Sequence, residues 1–420
     1  MEYTPVYLLM ITEQNNNKYY SMYPNADGTF TAKYGRVGGG EQSKTYPMSK
    51  WESLKASKIK KGYKEVTNLM TDVIEDSKVE DTPVDNDKFG KIKIPSIKEV
   101  LKRLWDFSNR TIQSAYKVKS SVVTQAMVDK AQEQIDEISS HYLNWTVEEF
   151  NQALLALFTT IPRKMKYVKD YLANDSSEFA NIIVREQDLL DTMAGQVYQK
   201  KSPIVKADTN SDVGVPSGSI LDELGISMRE TTEEEVEKLK KAMGDSADKY
   251  YKSWAVTNFE TEEAYNKFVG ENQIGNIQLC CHGSRNANWL SIIKQGLKIR
   301  PSNAVSFAGT MWGPGIYFSN PKKYHGGVRK SIGYTSLGGY WTREYQNCGF
   351  LAFYDVALGE PYDVYNFDPK YYSMNFKKLQ EINPKAYHLF AHGNTSMLKN
   401  DELVVYDHRQ MTIRYLVEIR

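Results

Sequence analysis

A histidine, a tyrosine and a glutamate stand in three short segments of the C-terminal third: His282-Gly283-Ser284-Arg285, Gly315-Ile316-Tyr317-Phe318 and Glu402-Leu403-Val404-Val405-Tyr406-Asp407. Together they suit the cleavage of a glycosidic bond. Positive charge grows on the sugar as the leaving group departs, so a carboxylate placed beside that sugar lowers the barrier. An aromatic face can hold a planar leaving group, and a histidine can hydrogen-bond a sugar hydroxyl. Taken alone, a histidine beside a strand or a tyrosine in an apolar run is more often structural. Glu402 is harder to dismiss, because an acid leading a Val-Val strand that should be buried needs a partner or a purpose. The chemistry requires no metal.

These residues need strands to hold them. Ile277, Leu279 and Cys281 alternate into His282, and Met411, Ile413, Tyr415, Val417 and Ile419 alternate to Arg420, the pattern of half-buried strands. Thr232 and Glu235 cap a helix carrying Val236, Leu239 and Met243. The spacing predicts an α+β domain over 206–420 with antiparallel pairing. No Gly-x-Gly-x-x-Gly opens a helix after a strand, so a Rossmann site is unsupported.

Ahead of it, 90–205 reads as a helical bundle. Ser96 with Glu99 forms one expected capping box and Thr146 with Glu149 a second, with Pro162 stopping the latter helix. Lys201–Ser219 is polar and reads as a tether or surface loop. Residues 71–89 read as an acidic tether: Thr71 to Lys88 carries seven acids against two bases. Residues 1–70 read as a small sheet, with strands over Val6–Met10, Tyr19–Tyr23 and Thr29–Tyr34 and an Asp27-Gly28 turn. A helix follows from about Ser49, with Trp51, Leu54 and Ile59 on one face.

The 420 residues exceed one ordinary core, and the net charge of +1 names no partner. Residues 1–63 nonetheless carry nine Lys/Arg against five Asp/Glu, a local basic bias that suits nucleic acid. Cys280, Cys281 and Cys348 lack Cys-x-x-Cys spacing, which excludes a zinc finger and makes a reducing compartment the default. No apolar run approaches a membrane span, so a soluble intracellular protein with no membrane partner is expected.

The order and spacing of His282, Tyr317 and Glu402, joined by Gly313-Pro314-Gly315 and Lys330-Ser331-Ile332-Gly333-Tyr334, resemble the poly(ADP-ribose) polymerase family. Tyr34-Gly35-Arg36-Val37-Gly38 and Lys60-Lys61-Gly62-Tyr63 resemble its WGR domain, with tyrosine in place of the first tryptophan. The resemblance implies a multidomain α+β chain: a small β-rich WGR domain, an all-α helical regulatory bundle, and an α+β ADP-ribosyltransferase domain with antiparallel sheets. It implies NAD+ as co-substrate and no tightly bound cofactor. Glu402, His282 and Tyr317 would be catalytic. Gly283, Ser284, Ser331, Tyr334 and Lys330 would bind NAD+, the two tyrosines Tyr317 and Tyr334 sandwiching the nicotinamide. Tyr34 and Arg36 would meet DNA ends or nicks, and protein side chains, the enzyme's own included, would accept ADP-ribose. The expected function is DNA-stimulated polymer formation with the helical bundle restraining access, in the DNA-damage response, and in the nucleus if the source is eukaryotic. The alternatives are transfer of a single unit, or a catalytically silent DNA-binding scaffold. Thr310, where relatives often carry an aromatic, and the second carboxylate Asp401 are departures on the acceptor side.

Overall fold

The computed structural model describes residues 3–37, 40–67, 86–118, 120, 123–197, 215–299, 311–319, 348–393, 395–396, 398 and 401–420. The chain divides into two compact units, Met1–Pro83 with Asn109–Tyr198, and Val84–Ser108 with Gln199–Arg420.

The first unit holds a sheet and helices. Its strands are β1 (Val6–Thr12), β2 (Asn16–Pro24), β3 (Thr29–Arg36), β4 (Glu41–Pro47) and β5 (Lys64–Glu65), in the order β4-β3-β2-β1-β5 and paired antiparallel. Two local signals set the hairpins. Asn15 takes a left-handed φ of 65° between β1 and β2, and Gly28 takes φ 78° after Asp27, whose carboxylate accepts from the Thr29 N–H at 3.0 Å. Leu8, Tyr20, Met22, Phe30, Ala32 and Trp51 form the core. β4 is an exposed, polar edge strand with no apolar alternation to read. In the helix Trp51–Lys60, Trp51 is buried and Leu54 packs on the core, but Ile59 is 47% exposed and does not share their face.

The helices Gln125–His141, Val147–Thr160 and Phe179–Gln196 follow. The Thr146–Glu149 capping box forms as expected, and the helix it opens ends at Thr160, before Pro162. Phe150 stacks on Phe179 at 3.9 Å.

The second unit is built on a nine-stranded sheet: β6 (Ile226–Glu230), β7 (Tyr250–Asn258), β8 (Ile277–Gly283), β9 (Ile316–Ser319), β10 (Gly349–Ala357), β11 (Glu360–Val364), β12 (Ala386–Ala391), β13 (Glu402–Val405) and β14 (Met411–Ile419). The order is β11-β12-β13-β9-β8-β10-β14-β7-β6. Pairing is antiparallel except between β11 and β12, which run parallel because the helix Phe376–Ile382 lies between them in the chain. The Thr232–Glu235 capping box is present.

Two expectations about the preceding segment change. Asn86–Gly90, read as the end of the tether, is a short helix with Phe89 buried, and Lys88 Nζ lies 3.1 Å from Glu223 and 3.8 Å above the Trp105 ring. Ser96 caps nothing. The next helix begins at Pro95, and the Ser96 hydroxyl instead donates to Glu230. The apolar face of that helix, Ile97, Val100, Leu101 and Leu104, is buried in one core with β6, β7, β10 and β14. Arg103 donates to both oxygens of the buried Glu418 on β14, which also accepts from Arg420 Nε at 3.0 Å. Residues 86–108 are therefore integral to this unit.

Candidate active site

Glu402, Tyr317 and His282 come from three adjacent strands. Glu402 opens β13 and pairs with Ser319 of β9 and Ala391 of β12; Val404 pairs with Tyr317. Strand alternation then puts the side chains of Glu402 and Tyr317 on one face. Among the described residues the β8–β9 ladder is a single pair, Cys281 with Ser319. One residue further on, the His282 ring takes over: its Nδ1 lies 2.9 Å from the Tyr317 carbonyl. A carbonyl only accepts, so Nδ1 carries the proton and Nε2 of the neutral ring is an acceptor. Burial holds the ring below the ordinary histidine range, partly offset by that bond, so it is neutral at pH 7. A neutral Nε2 suits a hydroxyl donor such as a ribose. Gly283 ends β8 opposite Leu351, and Ser284 Oγ accepts from Asn288 Nδ2 at 3.5 Å.

Tyr317 spends its hydroxyl on the turn before it, donating to the Gly313 carbonyl at 2.8 Å and accepting from the Trp312 N–H at 3.0 Å. Burial pushes that phenol far above its ordinary range. The ring face, not the hydroxyl, is what Tyr317 can offer a substrate. The turn itself admits only glycine. At Gly313 (φ 86°) a Cβ would stand 2.3 Å from the Met374 carbonyl, and at Gly315 it would stand 2.5 Å from Val404 Cγ1.

Glu402 is partly buried, and burial raises its carboxyl above the usual range, opposed by the bond it accepts from Trp312 Nε1 at 3.2 Å. Asp401 is not a second reactive acid: it is buried and accepts from the Gly393 N–H at 3.0 Å, which fixes the chain entering β13. Beside Glu402, the Ser319 hydroxyl oxygen is buried and finds no hydrogen-bond partner among the described residues. Sequence reasoning missed both Trp312 and Ser319; Trp312 showed only as an aromatic ahead of Gly-Pro-Gly, and Ser319 as a strand end. Lys330, Ser331, Tyr334 and Thr310 lie outside the described residues.

In the first unit, Tyr34 pairs with Tyr20 and stacks on it at 5.5 Å, and Lys58 Nζ lies 3.9 Å from the Tyr20 ring centre and 5.8 Å from that of Tyr34. Arg36 is half-buried and uses one guanidinium nitrogen within the protein. Its Nη2 donates to Asn15 Oδ1 at 2.6 Å, the Asn15 carbonyl at 2.9 Å and the Lys166 carbonyl at 2.9 Å.

An ionisable carboxylate, a neutral acceptor histidine and an aromatic ring thus stand together on neighbouring strands, a set chemically suited to glycosyl transfer. Residues 232–420 match the model of the poly(ADP-ribose) polymerase catalytic domain. Protein 101L of Invertebrate iridescent virus 6 is 33% identical over 220 residues, 52% of this chain and 88% of the viral one. The poly(ADP-ribose) polymerase-like protein 100L of the same virus is 32% identical over 175 residues, 41% of this chain and 87% of that one. Poly(ADP-ribose) polymerase 1 of Danio rerio is 24% identical over 343 residues, 76% of this chain but 30% of the fish protein. The chain belongs to the poly(ADP-ribose) polymerase family. It is an NAD+ ADP-ribosyltransferase, with NAD+ as co-substrate. Among the described residues no helix is long and apolar enough to cross a membrane.

Proposed function

We propose that the enzyme moves ADP-ribose from NAD+ to protein side chains, its own included, extends it into a polymer, and is stimulated by DNA ends or nicks. The observation that carries this reading is the Glu402 carboxylate, held at the head of β13 beside the Tyr317 ring. His282 Nε2 accepts from an adenine-ribose hydroxyl, with Ser284 nearby. The Gly283 backbone and the Ser331 hydroxyl hold the carboxamide, Tyr317 and Tyr334 sandwich the nicotinamide, and Lys330 sits at the pocket edge. Glu402 takes the nicotinamide-ribose 2′-hydroxyl. As the C1′–N bond breaks, its electron pair leaves with neutral nicotinamide, and the carboxylate stabilises the positive charge left on the ribose. An acceptor hydroxyl oxygen then bonds to C1′, and its proton passes to solvent water. In chain growth Glu402 also orients that acceptor, which favours polymer over the single-unit alternative.

DNA engages the basic sheet through Tyr34 and Arg36. The Arg36 bond to the Lys166 carbonyl supports a coupling between that sheet and the helices packed with it. The helices restrain NAD+ access until DNA binds, a role in the DNA-damage response that places the protein in the nucleus of a eukaryote. Removal of 109–198, leaving residues 86–108 in place, is expected to raise DNA-independent activity. A folded truncation that stays silent without DNA contradicts the restraint. On a denaturing gel, polymer gives a smear and single-unit transfer a sharp shift.

A further inference from the structure

We infer that Trp312 is the positioning residue of this site, its indole N–H fixing and orienting the Glu402 carboxylate for the transfer step. The inference rests on Glu402 acting as proposed above. Every polar group of Trp312 goes to this site: Nε1 donates to Glu402 Oε2 at 3.2 Å, the backbone N–H donates to the Tyr317 hydroxyl at 3.0 Å, and the backbone carbonyl accepts from the Tyr406 hydroxyl. The indole is fully buried and packs against Phe367 and Tyr371, with ring centres 5.7 and 5.5 Å away. It cannot swing away without opening that core. The two glycines that follow are locked against Met374 and Val404, so the turn carrying it is equally fixed. A carboxylate on a flexible side chain is thus given one rotamer by a rigid donor.

The same bond favours the ionised form. Burial raises the Glu402 carboxyl, and among the described residues the indole bond lowers it. Among the described residues, the groups paired with or flanking Glu402 supply no positive charge. Ser319 and Ala391 flank it on β9 and β12, and Cys281 lies beyond Ser319 on β8. Burial keeps the Tyr317 phenol and the Cys281 thiol neutral, and Asp401 points to the opposite face, bonded to Gly393. Without the indole N–H the carboxyl titrates higher, and the acid limb of the rate moves to higher pH.

The test replaces Trp312 in the full-length chain with β-(3-benzothienyl)alanine, which keeps the ring shape and puts sulfur in place of N–H, alongside Trp312→Phe. Both are assayed for nicotinamide release from NAD+ across pH, with melting temperature as a control for folding. The expected result is a fall in kcat of about tenfold or more, the scale of a lost bond to a charged group. KM for NAD+ stays near wild type and the acid limb shifts upward. In a Glu402→Gln background the same substitution has no further effect. If the benzothienyl variant keeps the wild-type kcat and acid limb, or changes KM alone, the inference falls while the role of Glu402 stands. If Glu402→Gln itself releases nicotinamide at the wild-type rate, the underlying reading falls first and takes this one with it.

Discussion

In the proposed transfer Glu402 must be ionised to stabilise a cationic sugar, yet it sits where burial opposes ionisation. Activity is therefore expected to fall on the acid side at a pH above that of an ordinary carboxylate, measured as kcat against pH. The same group works against stability. A carboxyl whose folded pKa lies above its unfolded value binds its proton more tightly when folded, so stability is lost as pH rises through that interval. Glu402→Gln is accordingly expected to melt no lower than wild type at pH 7, while transfer falls at least a hundredfold. A clear drop in melting temperature would mean that the carboxylate serves the fold. The three candidate site residues were legible as residue types in order, because strand heads and Gly-rich turns leave a local signature. Their support was not. The indole that meets Glu402 lies 90 residues away, and the proton on His282 Nδ1 is placed by a carbonyl from another strand.

Strands and helices with a local signal were also legible. β1, β2, β3, β8 and β14 form where the sequence places strands, and the Thr146 and Thr232 caps form where it places them. What failed depended on distant partners. Ser96 turns to Glu230 instead of capping, β4 lacks a buried face, and the end of the acidic segment becomes helical because Phe89 finds a core. The helix Pro95–Ala115 carries the largest consequence. Arg103 is expected to matter well beyond its own helix: Arg103→Ala leaves the buried Glu418 with Arg420 alone, at a cost on the order of 3 kcal/mol by denaturant unfolding. Arg103→Leu combined with Glu418→Leu is expected to recover most of that loss, since no charge is then left buried. A fragment beginning at 206 lacks Ile97, Val100, Leu101 and Leu104 from its core, and is expected to show no cooperative melt, whereas the full chain does.

The basic sheet and the transferase are joined in function by the proposed DNA response. If the sheet meets several phosphates, DNA affinity falls steeply as salt is raised. Tyr34→Ala is expected to weaken DNA binding. Arg36→Ala, whose guanidinium holds Asn15 and the Lys166 carbonyl, is expected to reduce DNA stimulation more than DNA affinity. Equal losses in both would make Arg36 a simple phosphate contact. The sequence disclosed the basic bias of this block but not that its arginine reaches the Lys166 carbonyl, because that contact joins residues 130 positions apart. The most direct measurement is incorporation of labelled ADP-ribose from NAD+ by the purified chain and by Glu402→Gln, with and without short nicked or broken duplexes, on a denaturing gel. The expected result is a DNA-dependent smear from the wild type and no polymer from the variant. Polymer from Glu402→Gln, or no incorporation by the wild type with DNA bound, would contradict it.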